Sequence, residues 1–563
     1  MRFIPRVVKT PSPLLPLSFI RAAVRIGNVA GALLCLGLQF LIESSDENTL
    51  CAMLAATAVI VTSLYCFREG PIHKHLYSTL SVYGACLVAI GVALFGMTSE
   101  WRPLTYNLRF PILTFSSSLV VVMTCVGAHA LYAQSTLLRA FGGTIRQAVY
   151  KPMGLLRVPS DIELWVLGAI GVFAVMKSGV GDVLYGVNGV KSGEVGGKFL
   201  QSLNVFTIAP YIIILKSGLV SNKPSRSLLS WWLLAGYSIV ILGLAMAQNA
   251  RGTFAEIILI IGICLMAMVL KGSIRLTTRT WLFAGAVLIA AVPCMGLIGN
   301  LSEAMKIVRG DRYSLSTGAL VTKTLETMAQ PDLIKYMREQ DNVVVAGYNE
   351  IYFSNEFLTR FSITKFTDNN WESIGQFPEV SPALRDRALY DFNLRTWGLL
   401  PTPVLRALHI DIDKDSIEFL SSSGDFYANF ASIRFLGGFI TGSVIPDSYV
   451  LFGFAAPFFF FSVFVLYFIF MDSFLSFDNK GNSFVLAFSI MLVARIFQSL
   501  LLPEGFYAYP SFFIRALPQL IIFYALITQG TNLAINWVSR PAEALGGIRP
   551  IARLTQRKSL VKK

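Results

Sequence analysis

Charge is what this chain has least of. Only 14% of its 563 residues are Asp, Glu, Lys or Arg, against 54% that are hydrophobic, and the mean hydropathy is +0.61. That balance excludes an ordinary soluble protein and points to the integral membrane class. Cysteine is sparse and unevenly placed. All seven (Cys35, Cys51, Cys66, Cys86, Cys125, Cys264 and Cys294) lie in or beside apolar runs, so none can staple the polar stretch of residues 300–448. Histidine is scarcer still, at four, and no Cys or His spacing resembles a zinc site. The chain has no P-loop, no nucleotide-binding glycine motif, no Gly-x-Ser-x-Gly elbow and no His-Glu-x-x-His. Its N-terminus lacks the small-residue cleavage site of a signal peptide, so the first apolar run is expected to be retained. No internal repeat at a solenoid period is present.

What is there is a series of long apolar runs. A crossing helix needs about 20 apolar residues. Candidates are Ile26–Ile42, Thr49–Phe67, Tyr77–Met97, Ile112–Tyr132, Ile162–Met176, Phe199–Leu215, Leu228–Ala247, Phe254–Leu270, Trp281–Ile298, Tyr449–Met471, Phe484–Leu502 and Phe513–Ile527. The expectation is an all-α polytopic membrane protein with about twelve transmembrane helices. Ile162–Met176 is short and leads into the glycine-rich Gly179–Gly197.

The formal net charge of +14 would suggest nucleic acid in a soluble protein; here it reads as cytoplasmic Lys and Arg. The basic residues Arg2, Arg6, Lys9, Arg21 and Arg25 put the N-terminal arm (1–25) inside. The acidic loop Glu43–Asn48 is then outside. Arg68 and Lys74 are inside, as are Arg139, Arg146, Lys151 and Arg157, then Lys216, Lys223 and Arg226, then Lys271, Arg275 and Arg279. The loop Thr98–Pro111 is a mild exception, with Arg102 and Arg109 against Glu100. The expected layout is nine spans (26–298), a polar exoplasmic insert (299–448), three spans (449–527) and a basic cytoplasmic tail (528–563). Such an insert cannot sit in lipid, where its charges and irregular backbone would go unsatisfied. Within it, Leu325, Met328, Leu333 and Met337 have helical spacing, interrupted at Pro331. Leu400-Pro-Thr-Pro403 marks a break before a helix restarts over Val404–His409. Phe435–Ser443 is apolar and glycine-rich, suited to lying along the membrane or dipping into it.

Ionisable residues at membrane depth are costly, so each is a functional candidate. Arg251, in Gln248-Asn-Ala-Arg-Gly252, lies in an outer loop, and Glu256 follows just inside the next run. Arg495 falls roughly 10 Å below the outer surface at about 1.5 Å per residue, and Arg515 opens the last run from the same side. Singly, these arginines can also snorkel to the interface or pair structurally, as Arg251 with Glu256. Together they converge on the outer leaflet. The planar guanidinium fork suits phosphate and diphosphate, and an outer-leaflet diphosphate is the head group of a polyprenyl carrier. The insert adds Arg312, Arg360, Arg395 and Arg434 as substrate-binding candidates, with Tyr427 as a ring that could stack on sugar. The acid–base candidates are His409, the insert's lone histidine, with Asp425 and Glu256. His409-Ile-Asp411-Ile-Asp413 alternates as a strand would, which puts its polar residues on one face. The bland reading, a solvated edge or an adventitious cation site, is the favoured one. The spacing of Asp411, Asp413 and Asp415 is not that of an EF-hand loop, and no metal or other cofactor is expected.

The outer-face Ala-Arg-Gly, the large insert before the last runs, and the stretch Gly424-Asp-Phe-Tyr-Ala…Gly437-Gly-Phe-Ile-Thr-Gly-Ser443…Tyr449-Val-Leu-Phe-Gly453 together resemble bacterial repeat-unit polymerases of O-antigen and exopolysaccharide, the Wzy type. The family's spaced arginine–glycine repeats are not obvious here. The resemblance implies a GT-C-like membrane fold with a large, mostly helical exoplasmic loop, in a bacterial inner membrane with both termini cytoplasmic. It implies polymerisation of undecaprenyl-diphosphate-linked oligosaccharides on the periplasmic face by inverting, metal-independent glycosyl transfer. The lipid-linked oligosaccharide, membrane lipid and a chain-length regulator would be the partners; nucleic acid would not. Arg251 is the position the resemblance carries over. Two alternatives remain: a ligase passing the glycan to another acceptor, and a transporter of lipid-linked oligosaccharide. Transporters usually show repeated halves with broken helices, and none is detected.

Overall fold

A computed structural model describes residues 17–157, 159–179, 200, 203–213, 228–247, 261–262, 296–297, 299–308, 311, 315, 317–341, 349–359, 361–375, 377–412, 422–433, 440–477, 484–485 and 502–538. Among them, six helices are long and apolar enough to cross a membrane: Arg21–Ile42, Asp46–Cys66, Leu76–Ser99, Pro111–Gln134, Val444–Ser473 and Ala508–Trp537. The chain is thus an all-α membrane-spanning protein. These helices coincide with the first four, the tenth and the twelfth apolar runs.

Local sequence explains their ends. Ser45 caps the second helix by accepting from the Asn48 N–H at 3.3 Å, and Asp46 and Glu47 face the positive end of its dipole. Pro111 opens the fourth helix, where a missing N–H costs nothing. Ala52, Ala55, Ala56 and Ala58 of the second helix are buried, the small residues that let membrane helices approach closely. The five described cysteines, Cys35, Cys51, Cys66, Cys86 and Cys125, are free thiols buried in these seams.

Three expected spans take a different form. Ile162–Met176 lies in a longer helix, Asp161–Gly179. The described part of Phe199–Leu215 begins as a 3-10 turn over Asn204–Ile208, and its helix Asn204–Ile213 is short. It packs backbone to backbone on the preceding helix, where a side chain at Gly171 would collide with Phe206 and Thr207. The run Phe484–Leu502 opens on a strand instead of a helix. Phe484 and Val485 pair antiparallel with Ser476 and Phe477, in register Ser476 with Val485. An aromatic beside a β-branched residue suits such a ladder. The runs Phe254–Leu270 and Trp281–Ile298 lie almost wholly outside the described residues.

The hydrogen bonds sort the connections into two ends. At one end, Gln39 Nε2 donates to Thr98 Oγ1 at 3.0 Å, and the Leu104 N–H donates to Asn48 Oδ1 at 2.8 Å. The insert docks there. Tyr352 OH donates to the Leu104 carbonyl at 2.7 Å, Asn107 Nδ2 to the Ile351 carbonyl at 2.6 Å, and the Ser354 N–H to Glu100 Oε2 at 2.9 Å. At the opposite end, His75 Nδ1 meets Asp472 Oδ2 at 3.2 Å, Arg146 Nε donates to the Ser473 carbonyl at 3.0 Å, and Tyr150 stacks on Phe474. Gln529 Nε2 donates to the Met153 carbonyl at 2.7 Å. Arg157 pairs there with Glu163. The insert and the loop 100–110 therefore share an end. The two arginines that broke the charge alternation are answered locally: Arg102 reaches Glu100 at 3.7 Å, and Arg109 reaches Glu372 in the insert at 3.5 Å.

The insert is helical where described: Thr317–Met328, Pro331–Asp341, Glu356–Thr359, Thr364–Ile374, Pro382–Gly398, Thr402–Ala407 and Ser423–Phe430. The breaks expected at Pro331 and Leu400–Pro403 are both present. One helix is buried against its own polarity. Thr364–Ile374 hides Lys365, Asp368, Asn369 and Asn370. Asp368 accepts from the N–H groups of Arg109 and Phe110 at 2.9 and 2.8 Å, which caps the fourth span, and pairs with Lys365 at 3.2 Å.

Candidate functional site

The insert meets the membrane helices at a junction of three chain segments. Ser422 caps the Ser423–Phe430 helix by accepting from the Asp425 N–H at 3.0 Å. Its hydroxyl donates to the Ile440 carbonyl, and the Ser423 hydroxyl donates to the Glu504 carbonyl. Asp425 Oδ1 accepts from the Ile440 N–H at 2.9 Å, and the Val444 N–H donates to the Pro503 carbonyl at 3.0 Å. The segments are so close that a Cβ on Gly442 would collide with Ser423 Oγ and the Glu504 carbonyl. Only glycine fits a backbone approach of that kind.

Asp447 stands at the centre, in the first turn of the Val444–Ser473 helix. Tyr427 OH donates to its Oδ1 at 2.6 Å, and the Phe506 N–H donates to its Oδ2 at 2.6 Å. The Tyr427 phenol is wholly buried, and its pKa is pushed well up by desolvation first and by the Asp447 charge second. Arg395, near the end of the Pro382–Gly398 helix, pairs with Asp391 one turn back at 2.7 Å, and its guanidinium lies 5.9 Å from the Tyr507 ring centroid. Burial raises the Tyr507 pKa; a Ser511 hydrogen bond and the charges of Arg395 and Arg515 oppose that rise. Arg515 is half-buried, about two turns into the last span, and forms no ion pair among the described residues.

The structure thus brings two of the expected residues, Arg395 and Tyr427, to Tyr507 and Asp447, while the charge of Arg515 is felt at Tyr507 from two turns into the last span. Asp425 is adjacent but fully buried, held on the Ile440 N–H. His409 is elsewhere in chemistry and form. It is exposed, with φ +55, and closes the Thr402–Ala407 helix. The His409 N–H donates to the Arg406 carbonyl at 3.1 Å and the Ile410 N–H to the Leu405 carbonyl at 2.9 Å, a Schellman motif with histidine in its left-handed position. The strand expected over His409–Asp413 is therefore replaced at His409 by a helix C-terminus; Asp413 lies outside the described residues. No hydrogen bond or ion pair among the described residues joins His409 to the arginine group. Arg251, Glu256, Arg312, Arg360, Arg434 and Arg495 also lie outside the described residues.

Sequence reasoning missed Asp391, Asp447 and Tyr507. Two carried a signal. Asp391 and Arg395 are spaced i, i+4 on a helix, and Asp447 is a lone acid at the head of an apolar run, hidden by starting that span at Tyr449.

A second buried polar group lies at the opposite end. Tyr65 OH meets His129 Nδ1 at 2.6 Å, His129 Nε2 meets Ser78 Oγ at 2.9 Å, and Ser78 Oγ donates to Asp472 Oδ2 at 2.6 Å. The Ser78 N–H donates to Asp472 Oδ1 at 3.0 Å. With the serine proton on Asp472, His129 donates from Nε2 and accepts from Tyr65 at Nδ1. This series of hydrogen bonds links four spans.

Comparison with known proteins finds no matching family model, curated protein or solved structure.

Proposed function

We propose that this protein is a membrane glycosyltransferase that polymerises lipid-diphosphate-linked oligosaccharide units at the face carrying the insert. The observation that supports this reading is Arg395 beside the Tyr507 ring where the insert meets the ends of the spans, with the charge of Arg515 also felt at that ring. A lipid diphosphate would lie with its chains among the helices and its charge at that level. The arginine forks would stabilise the charge that develops on the departing diphosphate. The acceptor hydroxyl oxygen forms the new bond to the anomeric carbon, and the carbon–oxygen bond to the diphosphate breaks with its electron pair. The Asp391 carboxylate, partly exposed beside Arg395, takes the acceptor proton. Buried Asp447 and Tyr427 hold the floor. The donor carries its own leaving group, so the missing nucleotide motifs are no obstacle.

The test is polymer made from purified lipid-linked units. Arg395→Ala and Arg515→Ala should each lower the rate by about 10²-fold, the scale of losing one preorganised charge donor, with partial recovery in the lysine variants. Full-length polymer at the normal rate from both alanine variants would sink this reading.

A further inference from the structure

The Pro111–Gln134 span ends at Ser135, and a second helix, Thr136–Ile145, leaves from it. Ser135 caps that helix by accepting from the Leu138 N–H at 3.3 Å. One side is seated on the last turns of the Val444–Ser473 span, where a Cβ on Gly142 would stand 3.4 Å from the Ile469 carbonyl oxygen. The remaining sides are open, and they differ. At about 100° per residue, Leu137 and Phe141 project together and are 75% and 52% exposed. Arg139 falls on the far side, and Arg146, in the π-helical continuation, reaches back to the end of the Val444–Ser473 span. From residue 133 to residue 160 the chain has Arg139, Arg146, Lys151 and Arg157 and no acid. An open groove of about 560 Å³ runs along this helix and its π-helical continuation Arg146–Tyr150, lined by Ala140, Gly143, Thr144, Arg146, Gln147 and Ala148. Arg146 is fixed in the groove wall: its Nε and Nη2 donate to the carbonyls of Ser473 at 3.0 Å and Asp472 at 3.2 Å. A guanidinium has five N–H donors, so others remain for an anion in the groove.

We propose that this groove binds the anionic head group of a phospholipid in the adjoining leaflet. The phosphate sits against Arg146, within the field of Arg139 and Lys151, and the acyl chains run along Leu137 and Phe141. An amphipathic helix with cations on one side and large apolar residues on another, placed where spans end, has the form of an interfacial element. A soluble anion would use the cations and leave the apolar side uncovered. This site is at the end of the bundle opposite the insert and does not depend on the glycosyltransferase reading.

The experiment is native mass spectrometry of the purified full chain in detergent, titrated separately with dioleoylphosphatidylglycerol and dioleoylphosphatidylcholine. The unmodified chain should retain the anionic lipid preferentially. In Arg139→Gln/Lys151→Gln, at about a fivefold effect per interfacial charge, retention of that lipid should fall roughly 25-fold, with the zwitterionic lipid unaffected. Phe141→Ser, which leaves every charge in place, should weaken retention of both lipids. Equal retention of the two lipids by the unmodified chain, or anionic-lipid retention indifferent to the double substitution, overturns the proposal. Displacement of the anionic lipid by equimolar inorganic phosphate assigns the groove to a soluble anion and overturns it as well.

Discussion

Asp368 shows how one side chain can decide whether a polar helix is buried. It accepts backbone N–H groups at the head of the fourth span and pairs with Lys365, whose ammonium also donates to the Asn107 carbonyl. Burial lowers the Lys365 pKa, and the Asp368 charge opposes that shift. Removing the carboxylate leaves a buried cation without its counter-charge, which typically costs about 3–5 kcal/mol. Asp368→Ala should therefore destabilise the purified chain by that amount in detergent unfolding, while Asp368→Ala/Lys365→Met should recover most of it. A double variant as unstable as the single one would show that capping of the fourth span, and not the ion pair, holds the insert. None of this was legible in the sequence. Asp368 lies 258 and 259 positions from the backbone groups it caps, and Thr364-Lys-Phe-Thr-Asp-Asn-Asn-Trp-Glu-Ser-Ile374 reads as a solvated helix. His409 misled for a related reason. The local alternation of His409-Ile410-Asp411 looks like a strand, but the hydrogen bonds that close a helix from Leu405 and Arg406 give the same pattern of residues, and a left-handed histidine has no signature of its own.

At the scale of elements, the apolar runs were legible because lipid demands them: a helix crossing about 30 Å of hydrocarbon must be both long and apolar. Their ends were less so. Ser45, Pro111 and Ser135 mark helix starts by recognisable chemistry, whereas of the strand pair Ser476–Phe477 lies in the loop between two expected spans and Phe484–Val485 hides at the start of the second. How the spans are tied together was invisible. Helix Asp46–Cys66 gives Tyr65, Leu76–Ser99 gives Ser78, Pro111–Gln134 gives His129 and Val444–Ser473 gives Asp472; the Ser78 hydroxyl joins three of these elements, and His129 carries the link on to Tyr65. Ser78→Ala removes the donor to Asp472 and the acceptor for His129 together. It should cost about 1–3 kcal/mol, the range for leaving buried polar groups unsatisfied. Ser78→Thr, which keeps a hydroxyl, should cost less. Thermal unfolding of both variants in the same detergent is the check; an alanine variant as stable as the parent would mean that the four helices are held by packing alone.

For the whole molecule, the decisive property is sidedness. The contacts divide the described connections between two ends. The insert, the loop 100–110 and residues 503–507 are at one, and the loops 67–75 and 135–157 with residues 473–477 are at the other. Loop charge predicts that the second end is cytoplasmic, and the proposed outer-face chemistry would need that orientation. Five native cysteines are buried, so with Cys264 and Cys294 replaced by serine a single introduced thiol can report position. Asp386 on the insert and Gln147 on the basic loop are both exposed. Asp386→Cys should react with a membrane-impermeant maleimide in right-side-out membrane vesicles. Gln147→Cys should stay unlabelled until the membrane is permeabilised. The reverse pattern would place Arg395, Tyr507 and Arg515 on the cytoplasmic side, where their neighbour would be the inner leaflet and not an exported lipid carrier, and the polymerisation reading would fall with the topology. Labelling of both sites in sealed vesicles would break the two-ended arrangement itself, because no single orientation of the bundle exposes the insert and the basic loop to the same compartment.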